Sequence, residues 1–411
     1  MRTLRTAVLA CIAIGASAAL ALTTQLGADY PGPPCDVCDF SGPPIDALAH
    51  GHVAGFFHTQ PVMGSFSLLV RAPFAAIGNA FGGGQLLEYR LGALPCLLVA
   101  ALLAISLVRL MARRGQPFRA QVAVAALIVA GPLTFSALKW GHPEELLAAA
   151  LCVGGAIAAV HGRVLVGGLL LGLALATKEW AWLALLPVAI AMGPGRLRML
   201  LVAGGTAVLF TLPMLIGDPT RFMAQIHHYG VPGNGLTPAN VWWVYGHEGG
   251  IDLTGGGFRG AATYALPAWL GHASHLLVIA VAVGLSLGWS RVRRGCDPHE
   301  VLQLIALVFL MRCMLDPLTY SYHHVPFAFA LIAYEGLCRR GMPWVAGFSS
   351  LGIWVMSKWI APLDDPTLLN RVYLAWAVPV AAYLAFSLFA QGRVRLRRDL
   401  GKPALAGAPA Y

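Results

Sequence analysis

Charge is what this chain has least of. Asp, Glu, Lys and Arg make up 11% of its 411 residues and hydrophobic residues 58%, whereas a soluble domain is roughly one quarter charged. That scarcity excludes a soluble globular domain and a disordered polar chain. Phosphate-binding loops are missing as well. No G-x-x-x-x-G-K-[ST] occurs, and neither Gly82-Gly83-Gly84 nor Gly255-Gly256-Gly257 follows a strand pattern. Nucleotide hydrolysis therefore has no support. Cysteine is sparse, and only Cys35 and Cys38 form a C-x-x-C. With no second pair, a zinc site would have to borrow histidines. A local disulfide, free thiols and a metal site all remain open for this pair. Cys11, Cys96, Cys152, Cys313 and Cys338 lie in or beside apolar runs, as small core residues do.

What is present is a series of apolar runs, near residues 5–26, 91–112, 120–138, 144–160, 163–177, 180–194, 199–216, 273–290, 300–316, 323–338, 342–361 and 370–391. Most are long enough to cross a bilayer, which takes about 17–25 residues. The runs 163–177 and 180–194 are short and also fit one broken helix. The net charge of +10 does not point to nucleic acid, because the basic residues sit in short clusters between the runs. Arg113-Arg114, Arg196 and Arg198, Arg293-Arg294, Arg339-Arg340 and Arg393 to Arg398 all fall on one side of the alternation. By the positive-inside rule that side is cytoplasmic, and both termini share it. Arg2 and Arg5 followed by an apolar run also resemble a signal peptide, but its length and the runs behind it favour a first span.

Two outward loops are long, residues 27–90 and 217–272, and loops of that length are usually functional or disordered. The first holds Asp29, Asp36, Asp39, Asp46, His50, His52 and His58, and its Phe66 to Phe81 stretch is too short to span. We read that stretch as an interfacial helix. The second loop holds Arg221, His227, His228, the Trp242-Trp243 pair and Arg259.

Two further stretches resist a bland reading. Lys139-Trp140-Gly141-His142-Pro143-Glu144-Glu145 sets ionisable groups around a helix breaker. Lys178-Glu179 interrupts an otherwise uncharged run from Val164 to Met192. Ionisable groups in hydrocarbon are costly and mark function by default. The competing reading makes Lys178-Glu179 a turn reaching the headgroups, with Trp180 and Trp182 in an interfacial belt. Glu144 and Glu145 also suit the first turn of a helix beginning at Pro143, and Asp46 an N-cap.

Three segments carry a family resemblance. One is Ala47-Leu48-Ala49-His50-Gly51 with Gln60-Pro61 to Arg71-Ala72-Pro73, behind an acidic loop. The second is Gly141-His142-Pro143-Glu144, where the family often has a Gly-Gln-x-Asn turn. The third is Gly168-Leu169-Leu170-Leu171-Gly172-Leu173-Ala174 to Lys178. Over roughly residues 1–340, more weakly after 200, the chain resembles the GT-C glycosyltransferases. These integral-membrane enzymes use polyprenyl-phosphate sugars, and the likeness is to their bacterial polyprenol-phosphate-mannose-dependent branch. His142, Glu144 and the C-x-x-C depart from the family pattern and leave the acceptor and donor sugar open.

The resemblance implies an all-α, GT-C-like bundle of about 11–13 spans in a bacterial cell membrane. It implies inverting transfer of a mannose-like sugar from a polyprenyl-phosphate donor to an extracytoplasmic glycan or lipid acceptor. The base would be a first-loop aspartate, Asp39 before Asp36. Lys178, Arg221, His227, His228, His323 and His324 would face the donor phosphate, with Arg259 behind them. His142, Glu144, Glu145 and Glu179 would bind acceptor or support the site, and a divalent ion is an alternative for the acids. His323-His324 also fit a helix cap, and Arg221 and Arg259 solvated loop charges. Two other classes stand beside the transferase: a secondary transporter with a midplane Lys178-Glu179 site, and a membrane scaffold with a ligand-binding exterior.

Overall fold

Hydrocarbon offers a backbone no hydrogen-bond partners, so an apolar run must satisfy its own N–H and C=O groups, as a helix does. A computed structural model describes residues 2–25, 41–59, 64–230, 235–248, 264–293 and 297–400. The chain begins with α1 (Arg2–Thr23), then three short helices, α2 (Gly42–Ala49), α3 (Val53–His58) and α4 (Ser65–Ala80). The bundle continues through α5 (Gly84–Arg113), α6 (Phe118–Val129), α7 (Pro132–Lys139), α8 (Pro143–Val160) and α9 (Val164–Leu175). A 3₁₀ turn, Glu179–Ala184, leads into α10 (Leu185–Ala191), followed by α11 (Arg196–Gly217) and α12 (Pro219–Gly230). Then come a two-residue ladder of β1 (His247–Glu248) with β2 (Tyr264–Ala265), and α13 (Ala268–Val292), α14 (Val301–Leu315), α15 (Val325–Cys338), α16 (Trp344–Val355) and α17 (Pro366–Leu400).

Each apolar run expected from sequence coincides with a helix, and α4 is the expected short helix of the first outward loop. Among the described residues eight helical segments are long and apolar enough to cross a membrane, and the protein is an all-α, multi-pass membrane protein. Burial sorts the helices. The spans Pro143–Val160 and Pro298–Leu315 are each 83% buried, whereas Arg196–Gly217 is 17% and Leu4–Thr23 22% buried. A helix that is apolar all round belongs inside; accordingly α8, α14 and α15 form the centre, while α1, α11 and α13 face outward.

The short runs on either side of Lys178 are two antiparallel segments, and the broken-helix reading falls. A Cβ on Gly168 would stand 2.7 Å from Met199 O, and one on Gly172 2.6 Å from Ala203 O. A four-residue step along α9 thus matches a four-residue step along α11. The two helices are parallel, so residues 176–195 must return the chain. Only glycine permits that backbone approach. With 12 residues, α9 is about 18 Å long at 1.5 Å per residue, well short of the roughly 30 Å of hydrocarbon. Lys178 therefore occupies a turn at the end of a short helix.

Candidate functional site

Pro143 opens α8 and sets Glu144 and Glu145 in its first turn, where carboxylates favour the helix dipole. Both are fully enclosed. Glu144 Oε2 accepts from Arg71 Nη1 at 3.2 Å, and Glu144 Oε1 lies 2.7 Å from His142 Nδ1 and 3.4 Å from Lys178 Nζ. Glu145 Oε1 lies 3.2 Å from Lys178, and its Oε2 accepts from Trp180 Nε1 at 3.1 Å. Arg71, Glu144 and Glu145 have side chains or residues at most 1% exposed, and the Lys178 side chain is 11% exposed. Two cations against two carboxylates leave this core of the site neutral, which is how charge survives burial.

Three parts of the chain bring these groups together. Arg71 comes from α4, where it shares the buried face with Leu68, Ala72 and Ala75. Lys178 comes from the turn after α9. That turn is joined to the start of α4 by backbone bonds, Gly64 N to Thr177 O at 3.2 Å and Phe66 N to Ala176 O at 3.1 Å. A Cβ on Gly64 would stand 2.0 Å from Ala176 O, so the residue there has to be glycine. Tyr89 of α5 donates to Leu138 O at 2.5 Å and fixes the end of α7.

Aromatic rings border the ion cluster. His142 stacks on Tyr322 at 4.1 Å, Tyr322 on Tyr320 at 5.7 Å, and Trp140 lies 6.3 Å from Tyr320. Arg312 and Asp316 face each other nearby at 3.8 Å. Part of the second outward loop is fastened over the same end. Thr237 Oγ1 donates to Thr319 O at 3.0 Å, Trp242 Nε1 to Leu315 O at 2.6 Å, and Asn370 Nδ2 to Asn240 O at 2.7 Å.

The expected site residues divide. His142, Glu144, Glu145 and Lys178 meet. Glu179 is exposed at the edge of the cluster and acts on Lys178 through space, while the close ion pairs of Lys178 are to the α8 glutamates. Trp180 is 3% exposed and holds Glu145; of the pair expected in an interfacial belt, only Trp182, 39% exposed, remains. His323 Nδ1 accepts from Tyr320 N at 3.3 Å, as a helix cap does, and its ring meets Tyr322 edge-on at 4.5 Å. His324 is buried against α17, 3.2 Å from the Tyr373 hydroxyl, and turns away from the ion cluster. Arg221 is exposed at the start of α12, where its backbone N–H donates to Asp218 Oδ1 at 3.0 Å. That bond first, and His58 second, hold the Asp218 carboxyl below its ordinary range. Asp46 does not cap a helix: α2 begins at Gly42 with Ser41 at the cap, and Asp46 sits inside it, 3.1 Å from His50. Asp36, Asp39, Cys35, Cys38 and Arg259 lie outside the described residues, as do the side chains of His227 and His228. Among the described residues no group of three or more His, Cys, Asp or Glu is placed to hold a metal ion.

Sequence reasoning missed Arg71, Trp180, Tyr322 and the Arg312–Asp316 pair as parts of the site. Arg71 alone carried a signal, since Leu68, Arg71, Ala72 and Ala75 repeat at i, i+3, i+4 and i+7. The chain matches no protein-family model and no curated protein. Among solved structures, ArnT from Cupriavidus metallidurans in the apo state is similar at a TM-score of 0.42 and 16% identity, over 94% of this chain and 77% of that one.

Proposed function

We propose that the protein is an integral-membrane glycosyltransferase that moves a sugar, mannose-like by the resemblance of its motifs, from a polyprenyl phosphate to a glycan or lipid acceptor outside the cytoplasm. The observation that carries this reading is the buried cluster of Arg71, His142, Glu144, Glu145 and Lys178. It lies at the end of the bundle where both long loops attach, and it unites all three of the segments that resemble the family. Such a constellation is costly to bury and needs a reason beyond packing.

In this reading an acceptor hydroxyl attacks the anomeric carbon from the face opposite the phosphate. The bond between that carbon and the phosphate oxygen breaks, the polyprenyl phosphate leaves, and the configuration inverts. Asp39, or Asp36 beside it, takes the hydroxyl proton. The leaving phosphate needs cations. Lys178 is the first of these, with Arg312 across the aromatic rings. Because Lys178 is shared by two glutamates, they fix its position while donor phosphate competes for its charge.

The test is transfer of labelled sugar from polyprenyl-phosphate-mannose by the purified protein, with cell-envelope glycan or lipid as acceptor, run beside counterflow of labelled solute in liposomes. Transfer without counterflow is expected. Counterflow without transfer would overturn the reading in favour of a transporter.

A further inference from the structure

The aromatic rings beside the ion cluster have no part in the proton and phosphate chemistry above, yet they are ordered as a ladder. Tyr320 and Tyr322 lie two residues apart on the 3₁₀ turn before α15, with planes 7° from parallel. Tyr322 is stacked on His142 at 25°, and Glu144 Oε1 holds His142 by Nδ1 at 2.7 Å. His323 closes the edge, 5.6 Å from Tyr320 and 4.5 Å from Tyr322. The inner rungs, His142 and Tyr322, are 6% and 5% exposed. The outer rings are Tyr320 and, 6.3 Å from it and tilted by 42°, Trp140; both are only half-buried. The ladder thus runs from a carboxylate in the ion cluster to partly uncovered ring faces at the outer end of the bundle.

We propose that Trp140 and Tyr320, backed by Tyr322 and His142, form the platform on which the pyranose ring of the donor stacks. The proposal rests on the transferase reading and deepens it by naming the surface that recognises the sugar as distinct from the lipid phosphate. The chemistry matches on both sides. A pyranose presents a face of C–H bonds, which suits the electron-rich face of an aromatic ring, and a rim of hydroxyls, which suits carboxylates and ammonium groups. Here the two kinds of surface adjoin, because His142 belongs to both. Simple core packing would call for covered rings, whereas the outermost two rings are the least covered. Glu144 then acts through His142 as a positioning residue, fixing the angle of the stack.

The experiment separates sugar from phosphate. Affinity for polyprenyl-phosphate-mannose and for polyprenyl phosphate without sugar is measured on the purified wild type, Trp140→Leu, Tyr320→Leu, Trp140→Phe and Tyr320→Phe, alongside KM, kcat and Tm. The Leu variants are expected to weaken sugar-donor binding, and raise KM, by up to about tenfold, the size of one aromatic contact. Affinity for polyprenyl phosphate should stay as in the wild type, and the Phe variants should recover most of the loss. If Trp140→Leu loses its melting transition, Trp140→Met, which removes the ring and keeps much of the volume, replaces it. Equal losses for both ligands, or no loss for either, would overturn the platform while leaving the transferase standing. A wild type that transfers no sugar and binds both lipids alike would overturn the transferase reading itself, and the platform with it.

Discussion

Glu144 touches a guanidinium, an imidazole and an ammonium at once, so the cost of burying any one of them depends on the others. Removing one partner of such a buried pair typically costs about 3–5 kcal/mol, because the remaining charge has nothing to face. We expect Lys178→Ala to lower the melting temperature as well as donor affinity, since it strips two enclosed carboxylates of their shared cation. Lys178→Arg keeps the charge and should retain part of both. Equal donor affinity in wild type and Lys178→Ala would remove Lys178 from the donor site. The base belongs to the same scale. Asp39→Asn is nearly isosteric but cannot take a proton, and should lower turnover by roughly the 10²–10⁴ of a lost general base with donor binding largely intact. Asp36→Asn should do less. A turnover assay on variants of matched stability decides it: normal rates in both would leave the α8 glutamates as the next place to look.

Among elements, the decisive contact is the short backbone pairing between the start of α4 and the turn after α9. It couples the helix that carries Arg71 to the residue before Lys178, and it leaves no room for a side chain at Gly64. Gly64→Ala drives a methyl group into a carbonyl and should cost on the order of 1–3 kcal/mol, as overpacking does. Transfer should fall further than stability alone explains, because Arg71 and Lys178 are pushed apart. Gly204→Ala is the control: a Cβ there, inside α11, meets nothing within 4 Å, and it should leave turnover unchanged and Tm unchanged or slightly raised. If the two variants behave alike, the pairing does not position the site.

For the whole molecule, the twelve apolar runs of the sequence, with arginine clusters between them, lead us to propose that both termini lie on the cytoplasmic side. In that proposed orientation the ion cluster would face the cell exterior, where a lipid-linked donor does not need a nucleotide. After mild reduction, a membrane-impermeant thiol reagent on intact cells should label Cys35 and Cys38 and leave an introduced Arg393→Cys untouched. The reverse pattern would invert the protein and remove the proposed acceptor from reach. The end of the bundle away from the ion cluster has a polar tie of its own. Arg114 donates to Leu337 O at 2.7 Å and faces Asp297 at 3.2 Å, binding the ends of α5, α14 and α15. Its contacts go to a backbone carbonyl, to one carboxylate and, through Nη2, to His299 Nδ1 at 2.9 Å, as in a structural clamp.

The sequence by itself determined the class, the helices and most of the membership of the site. Apolar length and charge placement act locally, so the helices of the apolar runs and the short α4 could be traced from sequence, whereas α3, α12 and the break between α6 and α7 were not. His142, Glu144, Glu145 and Lys178 stood out because charge inside an apolar chain is conspicuous wherever it lies. The partnership was not legible. Lys178 has Glu179 next to it in sequence, yet it pairs with Glu144 and Glu145, more than thirty residues away. That choice depends on α9 ending short, on the chain reversing at residues 176–178, and on glycines that let α9 lie against α11. Likewise Arg71 read as one more residue of an interfacial helix, and nothing in the sequence singled out Tyr320 and Tyr322. Only the packing of α4, α8 and the turn before α15 at one end of the bundle decided that a buried guanidinium and a stack of rings would meet the same carboxylate. Each of those meetings is a long-range closure that local propensity does not encode.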